Sequence, residues 1–396
     1  MSKTPAWIRQ ALALRQEQQL FRKTIKMEGP QTPQIRIDGK AYLAFCSNDY
    51  LGLATHPQLV AALKQSADAY GVGSGASHLV NGHGVEHQAL EQELADWLGY
   101  ERVLLFSTGY MANLGVISAL ADKTRSVIED KLNHASLIDG ALLAQAPMRR
   151  YLHNNLQSVE RLLQKASAGA LLVTDGVFSM DGDIVPLAGL VASAERHQAL
   201  LMVDDAHGLG CLGENGRGSM ALENVLPTQV PLLIGTFGKA FGTSGAFVAT
   251  THDIADYLTQ FARPYIYTTA MSPALAGATR ASVQLLQTAE GDDLRTTLAE
   301  NIAYFRAKMS ALPLTLMASS TAIQPILLGE TALALRLSER LKQQGIWCTA
   351  IRPPTVPVGS ARLRVTLSAA HTQAHIDRLV TAIESSWECI MSETNY

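Results

Sequence analysis

The chain has 396 residues, of which 47% are hydrophobic, and a formal net charge of −3. This length predicts two or three domains of roughly 150 residues with a sizeable core, and the near-neutral charge argues against a nucleic-acid-binding protein, which normally has a basic face. The four cysteines lie far apart without a CxxC pair, so the sequence predicts neither a disulfide framework nor a bound metal.

The N-terminal residues favour an amphipathic helix over a secretion signal, because they lack a charged tip followed by an apolar stretch and a cleavage site. The chain has no run of about 18 apolar residues, the length that crosses a membrane. We therefore expect a soluble, cytoplasmic protein that binds no membrane.

The middle of the chain alternates short apolar strands with helical patterns. The predicted strands cover residues 101–109, 125–130, 169–176, 199–208 and 231–239. Buried strands that alternate with helices form a mostly parallel sheet. Glycines and polar residues stand where each strand ends, and ligands bind beyond the carboxyl ends of such strands. The sequence therefore predicts an α/β fold with a ligand site at this edge.

The pattern changes after about residue 285. A long helix (roughly 290–310), a strand in "AIQPILL", a second helix, strands in "IWCTAI" and "ARLRVTL" and a last helix from His371 indicate a smaller α/β domain. We thus predict three parts: an N-terminal helix and short segment (1–45), a large domain (46–285) and a small C-terminal domain (286–396).

Two glycine-containing stretches raise the question of phosphate binding. "FSTGYMANLG" turns from a strand into a helix at Gly109 and Tyr110, and a helix N-terminus binds phosphate well. It lacks the lysine of a nucleoside-triphosphate loop, and Tyr110 could equally pack on the helix start. "GVGSGA" (71–76) fits the dinucleotide fingerprint, but it follows a helical pattern instead of the required strand. Nicotinamide binding is therefore disfavoured.

The stretch "VDDAHG" places Asp204 and His207 at the end of a predicted strand. Asp often caps helices and His often only packs, so a structural role is an even alternative. A carboxylate buried at this position needs a positive partner. A ligand cation could be that partner.

Lys239 lies 35 residues further on, among glycines, in "GTFGKAFGTSG". A lysine between small and apolar residues loses its proton more easily than a solvated one, and it then forms a Schiff base with a carbonyl. Thr236 and Ser244 could donate to a phosphate. On its own this stretch fits a surface turn equally well. His134, in "DKLNHASLIDG", is undecided from its pattern alone.

Taken together, these stretches fit one cofactor. Pyridoxal phosphate has a phosphate for the helix start, a ring nitrogen for a carboxylate such as Asp204, and an aldehyde for a lysine such as Lys239. The order of the stretches along the predicted sheet supports this interpretation. We therefore predict a pyridoxal-phosphate enzyme.

The chain also resembles a known family, the α-oxoamine synthases. The resemblance rests on "SNDYLGL", "NHASLIDG", "TDGVFSMDGD", "VDDAHGLGCLGENGRG", "GTFGKAFG", "RPYIYTTAMSP" and "PPTVPVGSARLRVTLSAAHT", which occur in this order from about residue 40 to 375. It implies the fold-type I class of pyridoxal-phosphate-dependent transferases, with a large domain and a smaller C-terminal one.

The resemblance also implies roles for single residues. Lys239 would form the Schiff base, Asp204 would pair with the ring nitrogen, and His207 would bond the ring oxygen. His134 would stack on the ring and face the reacting groups. The other implied cofactor contacts are Gly109, Tyr110, Ser179 and Thr236. The implied substrate-binding residues are Arg22, Asn48, His134, Thr355 and Arg364. Asp205 would serve structure.

The implied reaction joins an amino acid to an acyl thioester with loss of carbon dioxide. The motifs favour L-alanine with a pimeloyl thioester over the alternative of glycine with a shorter acyl-CoA, and they leave a coenzyme A or a carrier-protein donor equally open. A homodimer is implied, with the active site at the subunit interface and with Thr268 or Thr269 reaching the phosphate of the other subunit. A non-catalytic relative would lack Lys239 or Asp204, and this chain has both.

Overall fold

The computed structural model describes residues 4–18, 20–167 and 169–394. Its helices are α1 Ala6–Glu17, α2 Pro57–Tyr70, α3 Val85–Leu98, α4 Gly109–Leu120, α5 Ala135–Leu143, α6 Leu156–Leu163, α7 Leu187–His197, α8 Gly218–Leu222, α9 His252–Phe261, α10 Arg263–Tyr267, α11 Pro273–Leu286, α12 Ala289–Met309, α13 Thr331–Gln343 and α14 Gln373–Thr394.

The strands belong to three sheets. They are β1 Met27–Glu28, β2 Gln34–Ile37, β3 Lys40–Ala44, β4 Arg102–Phe106, β5 Val127–Asp130, β6 Met148–Tyr151, β7 Leu171–Asp175, β8 Leu200–Asp204, β9 Leu232–Thr236, β10 Ala246–Thr250, β11 Thr315–Leu316, β12 Ile323–Gly329, β13 Ile346–Trp347, β14 Thr349–Ile351 and β15 Ala361–Thr366.

The largest sheet has seven strands in the order β4-β10-β9-β8-β7-β5-β6. Only β10 runs against its neighbours, since it pairs antiparallel with both β9 and β4. Neighbouring residues of the strands face opposite sides: Leu172 belongs to the hydrophobic cluster that contains residues of α3, α7 and α11, whereas Val173 belongs to the cluster that contains residues of α4, α5 and α9. Helices therefore cover both faces of a buried, mostly parallel sheet, as the sequence predicts.

Two four-stranded sheets flank this one. The N-terminal segment forms the sheet β1-β2-β3-β13, in which β3 and β13 are parallel, and the C-terminal region forms the antiparallel sheet β11-β12-β15-β14. Leu363 of β15 and Leu379 of α14 belong to the same hydrophobic cluster as one face of the large sheet. The boundary predicted near residue 285 lies at the end of α11, which runs to Leu286, just before α12 begins at Ala289.

The predicted elements are largely present, with shifted ends. The five predicted strands of the large domain are β4, β5, β7, β8 and β9, and the last helix begins at Gln373 instead of His371. "IWCTAI" is not one strand, because Cys348 separates β13 from β14 and the two belong to different sheets. Among the residues that the structure describes, no helix combines the length and the apolarity needed to cross a membrane.

Candidate active site

A cavity of about 170 Å³ lies at the carboxyl ends of β7, β8 and β9, the edge at which the sequence predicts a ligand. The loop after β5 and the start of α4 complete its walls. Its lining residues are Gly109, Tyr110, Asn113, His134, Ser136, Asp175, Ser179, Asp204, Ala206, His207, Thr236 and Lys239. Eight predicted site residues thus meet in one place.

Lys239 is held in this cavity by the turn that follows β9. The turn is closed by main-chain hydrogen bonds from Phe237 to Gly245 (2.9 Å) and from Gly242 to Lys239 (2.9 Å). The Nζ atom of Lys239 lies 2.7 Å from Nε2 of His207. Burial lowers the pKa of Lys239 to about 8, against the opposing charge of Asp204. About a tenth of this amine is therefore neutral at pH 7, far more than for a solvated lysine.

A chain of hydrogen bonds runs from Lys239 to the small domain. Nδ1 of His207 lies 2.5 Å from the Tyr50 hydroxyl, and that hydroxyl donates to the Asn48 amide oxygen (3.2 Å). Nη2 of Arg364 donates to the same amide oxygen (3.3 Å). Burial lowers the pKa of His207 well below its usual value, so its ring is neutral and accepts from Lys239.

Asp204 is the last residue of β8 and only 7% exposed. One carboxylate oxygen accepts from the Asn113 amide (2.6 Å), and the other accepts from the main-chain N–H of Ala206 (3.1 Å). N–H donors thus hold both oxygens of this carboxylate at the end of β8. The site presents the Asp204 carboxylate to the cavity.

The start of α4 faces the same cavity. The Thr108 hydroxyl caps the helix by accepting from the N–H of Met111 (3.1 Å), and the helix begins at Gly109. The first amides of a helix carry a partial positive charge and bind phosphate. The Thr236 hydroxyl lies beside this helix start and accepts from the N–H of Gly238 (3.3 Å).

His134, in the loop after β5, forms another part of the cavity wall. Its main-chain N–H donates to the Asp175 carboxyl (2.8 Å), and its Nδ1 accepts from the N–H of Ser136 (3.3 Å). Burial lowers the pKa of His134 despite the charge of Asp204. The neutral ring therefore carries its proton on Nε2. The Tyr110 ring meets the His134 ring edge to face at 6.3 Å, and its hydroxyl donates to Asp139.

Arg364, in β15, is 8% exposed and is held on three sides. Its Nε donates to the main-chain oxygen of Ser179 (2.6 Å) and its Nη1 donates to the Thr366 hydroxyl (2.9 Å). Together with the contact to Asn48, these bonds fix the guanidinium beside the Lys239 cavity. A fixed guanidinium is suited to bind a carboxylate.

A second, larger cavity of about 680 Å³ shares His134 and Ser179 with the first. Thr355 lines it, together with apolar side chains such as Leu132, Ile138 and Val356. This places the predicted residue Thr355 next to the first cavity. A long, mostly apolar substrate could extend into this space.

Five predicted residues line neither cavity: Asn48 and Arg364, which the hydrogen bonds above join to the first cavity, and Arg22, Thr268 and Thr269. Arg22 is exposed in the segment before β1, and Thr268 and Thr269 follow α10, where the main-chain oxygen of Thr269 accepts from the Ser107 hydroxyl (3.3 Å). Their predicted roles stay predictions.

Sequence reasoning missed three residues of the site: Tyr50, Asn113 and Asp175. Asp175 ends a buried strand, the same signal that singled out Asp204, and its Cα is paired with that of Asp204 in the sheet. Asn113 lies one helical turn after Gly109, which puts it on the same face of α4. Tyr50 has no signal of this kind in the sequence.

The residues present fit pyridoxal phosphate. The cavity offers a helix start for a phosphate, a carboxylate for a ring nitrogen and a partly neutral amine for an aldehyde. The Asn113 amide oxygen is buried and has no hydrogen-bond partner among the described residues. A bound polar group at this position would relieve that cost.

Comparison with known proteins points the same way. Residues 40–383 match the family "aminotransferase class I and II". An 8-amino-7-oxononanoate synthase from Marinomonas sp. (strain MWYL1) is 64% identical over 97% of this chain and 95% of its own length. The solved structure of 8-amino-7-oxononanoate synthase from Francisella tularensis is 35% identical, with a TM-score of 0.77 over 88% of this chain and 99% of that one. A serine palmitoyltransferase from S. paucimobilis with bound PLP-myriocin is 30% identical, with a TM-score of 0.90 over 98% of both chains.

Proposed function

The chain belongs to the aminotransferase class I and II family and to its 8-amino-7-oxononanoate synthases, and we propose that its active site condenses L-alanine with a pimeloyl thioester, with loss of carbon dioxide. It is a pyridoxal-phosphate-dependent acyltransferase of biotin biosynthesis. The observation that carries the proposal is the placement of the Lys239 amine, 2.7 Å from His207, in the cavity bounded by Asp204.

The lining residues would contact different parts of the cofactor. Asp204 would pair with the ring nitrogen, and His207 and Ser179 would hold the ring oxygen. The α4 start and Thr236 would bind the phosphate, and His134 would cover one ring face. When bound, pyridoxal phosphate supplies an aldehyde for an amino group and a ring that accepts electrons from a bond broken at the α-carbon.

Arg364 and Asn48 hold the carboxylate of the amino acid. Arg364 is already fixed by Ser179 and Thr366, so binding costs little side-chain entropy. Lys239, once free and neutral, removes the proton from the α-carbon and later returns one. Burial lowers the pKa of this amine to about 8, close to the value that suits a general base at neutral pH.

His134 acts on the acyl donor. The proton on its Nε2 is available to hydrogen-bond the thioester carbonyl oxygen as negative charge develops there. The acyl chain extends into the second cavity past Thr355, and Lys131 and Arg150, which also line that cavity, suit an anionic group of the substrate. Attack of the α-carbon on the carbonyl carbon releases the thiol, and the amino-acid carboxylate leaves as carbon dioxide.

A substrate panel on the purified protein tests this proposal. Alanine and glycine are each combined with pimeloyl, succinyl and acetyl thioesters, and release of free thiol is followed. We expect turnover with L-alanine and a pimeloyl thioester. Turnover confined to glycine and a short acyl group would instead assign the chain to another α-oxoamine synthase, such as a glycine C-acetyltransferase or a 5-aminolevulinate synthase.

We also propose a cytoplasmic homodimer with its active sites at the subunit interface. The exposed positions of Thr269 and Arg22, outside the cavity of their own chain, support this arrangement. A second subunit would bring residues of this kind to the site.

A further inference from the structure

A second acid in the cavity has no part in the steps above. Asp175 is the last residue of β7, is 5% exposed and lies opposite Asp204 in the parallel pair β7–β8. Both side chains line the cofactor cavity. Two carboxyl groups at neighbouring strand ends repel one another if both are charged.

Asp175 holds the loop that carries His134. One of its carboxyl oxygens accepts from the main-chain N–H of His134 (2.8 Å), and its own N–H donates to the Asn133 side chain (3.0 Å). The Asn133 amide in turn donates to the main-chain oxygen of Val173 (3.0 Å). The loop after β5 is therefore tied to the end of β7 by three hydrogen bonds, two of them made by Asp175.

The charged and titratable groups around Asp175 come from several elements. They are Asp204 of β8, Asp130 of β5, Tyr151 of β6, Lys239 after β9 and His134. Burial raises the pKa of Asp175 well above its usual range, and the Asp204 charge adds to the rise, whereas Lys239 and the His134 N–H oppose it. Asp204 accepts from two donors, the Asn113 amide and the Ala206 N–H.

We propose that Asp175 is a positioning residue of this active site: its carboxyl oxygen accepts from the main-chain N–H of His134 and so holds that residue at the cavity, beside Asp204. The inference rests on the proposed function, because His134 matters only where the cavity binds cofactor and acyl donor. An uncharged carboxyl still has an oxygen that accepts the His134 N–H, and an asparagine amide offers the same acceptor.

Two substitutions separate the acceptor from the charge. D175A removes the acceptor and should lower kcat by about 10- to 100-fold, the cost of a loosely held catalytic group, with the KM for alanine little changed. D175N keeps the acceptor and should lower kcat by no more than about threefold. D204N, at the neighbouring strand end, is the contrast, because it removes the carboxylate that would pair with the ring nitrogen of the cofactor, and it should lose most activity.

Two further readouts need no substrate. The induced circular dichroism of the bound cofactor should change in D175A, where His134 moves, and stay as in the wild type in D175N. Thermal unfolding of the same proteins at different pH values reports the protonation of the Asp175 carboxyl. A carboxyl whose pKa is raised in the folded state makes folding less favourable as the pH rises above its unfolded value of about 3.9. The Tm of D175N relative to wild type should therefore increase by about 2 °C or more between pH 5 and pH 8.

The proposal is overturned if D175N is as impaired as D175A, if D175A keeps wild-type kcat and dichroism, or if the Tm difference does not depend on pH. Should D175A fold poorly, the D175N measurements still decide the charge state. If the wild-type protein turns over none of the thioesters while the two variants show the predicted Tm and dichroism changes, only the proposed function is refuted.

Discussion

The amine of Lys239 has to be neutral before it can attack an aldehyde. Burial lowers its pKa to about 8, so the neutral fraction rises tenfold per pH unit below that value and levels off above it. We expect the rate at which cofactor-free protein captures pyridoxal phosphate to follow this curve, measured as the visible absorbance of the bound form. Lys239→Ala should give no adduct that borohydride fixes to the protein. A flat profile between pH 6 and 9 would contradict the shifted amine.

The Tyr50 hydroxyl lies between His207, which contacts Lys239, and Asn48, which is proposed to bind the carboxylate of the amino acid. Tyr50 is 1% exposed. Tyr50→Phe deletes the hydroxyl between His207 and Asn48 and leaves both polar groups without this partner. We expect kcat/KM for alanine to fall by about 10-fold or more, the cost of one to two buried hydrogen bonds. Tyr42→Phe is the matched control, because it likewise removes one tyrosine hydroxyl, but from β3 in the N-terminal sheet. Equal kinetics for the two variants would show that Tyr50 only packs.

Among single residues, the sequence identifies those that follow buried strands or begin helices. Lys239, Asp204 and Gly109 were predictable for that reason, and the structure gathers them in one cavity. Tyr50 was not, because its role depends on the distance to His207 across 157 residues of chain. Local pattern carries no information about such a contact.

Among the secondary-structure elements, the strands with a long apolar run were predicted, whereas β6 and β10 were not. β6, with the sequence "MRRY", is an edge strand whose two arginines are exposed, so it lacks the apolar run of its neighbours. β10 is fully buried but antiparallel, and its five residues follow the Lys239 turn directly. The two halves of "IWCTAI" pair with strands 300 residues and 15 residues away, which only the tertiary structure decides.

The turn between β9 and β10 depends on a glycine at position 242. Gly242 has φ +69°, and a Cβ there would lie 2.5 Å from the main chain of Leu53 and Ala54. Gly242→Ala should therefore cost more than the about 1–3 kcal/mol typical of a strained backbone position, and it should weaken cofactor binding because the turn carries Lys239. Denaturant unfolding and cofactor titration measure the two effects.

Gly39→Ala is the matched control for this substitution. Gly39 also has a left-handed backbone, with φ +73°, but a Cβ there meets nothing within 4 Å. Its variant should lose about 1 kcal/mol from backbone strain alone and bind cofactor normally. If both variants behave alike, close packing of the turn against residues 53 and 54 does not hold Lys239.

At the scale of the whole molecule, the described part of the chain leaves an apolar surface uncovered around the segment 71–85. The segment 71–85 packs on the residues after α10 through the main-chain bond from Ala270 to Ala76 (2.9 Å). It exposes Val72 (81%) and Val80 (77%), and the adjoining Tyr267 is 70% exposed. Exposed apolar residues grouped in this way mark association surfaces. They lie beside Thr268 and Thr269, the residues predicted to reach the other subunit.

We therefore expect Val80→Asp to disrupt the proposed homodimer. Burying a new carboxylate in an apolar interface without a partner costs several kcal/mol, so the protein should shift from twice its chain mass of 42.6 kDa toward that mass in light scattering. Activity and cofactor affinity should fall together with the dimer, because each site would lose the residues of the second subunit. Leu226→Asp, at a 61% exposed leucine outside this surface, should leave mass and activity unchanged. A Val80→Asp protein that stays dimeric, or a monomer that keeps full activity, would place the interface or the complete active site elsewhere.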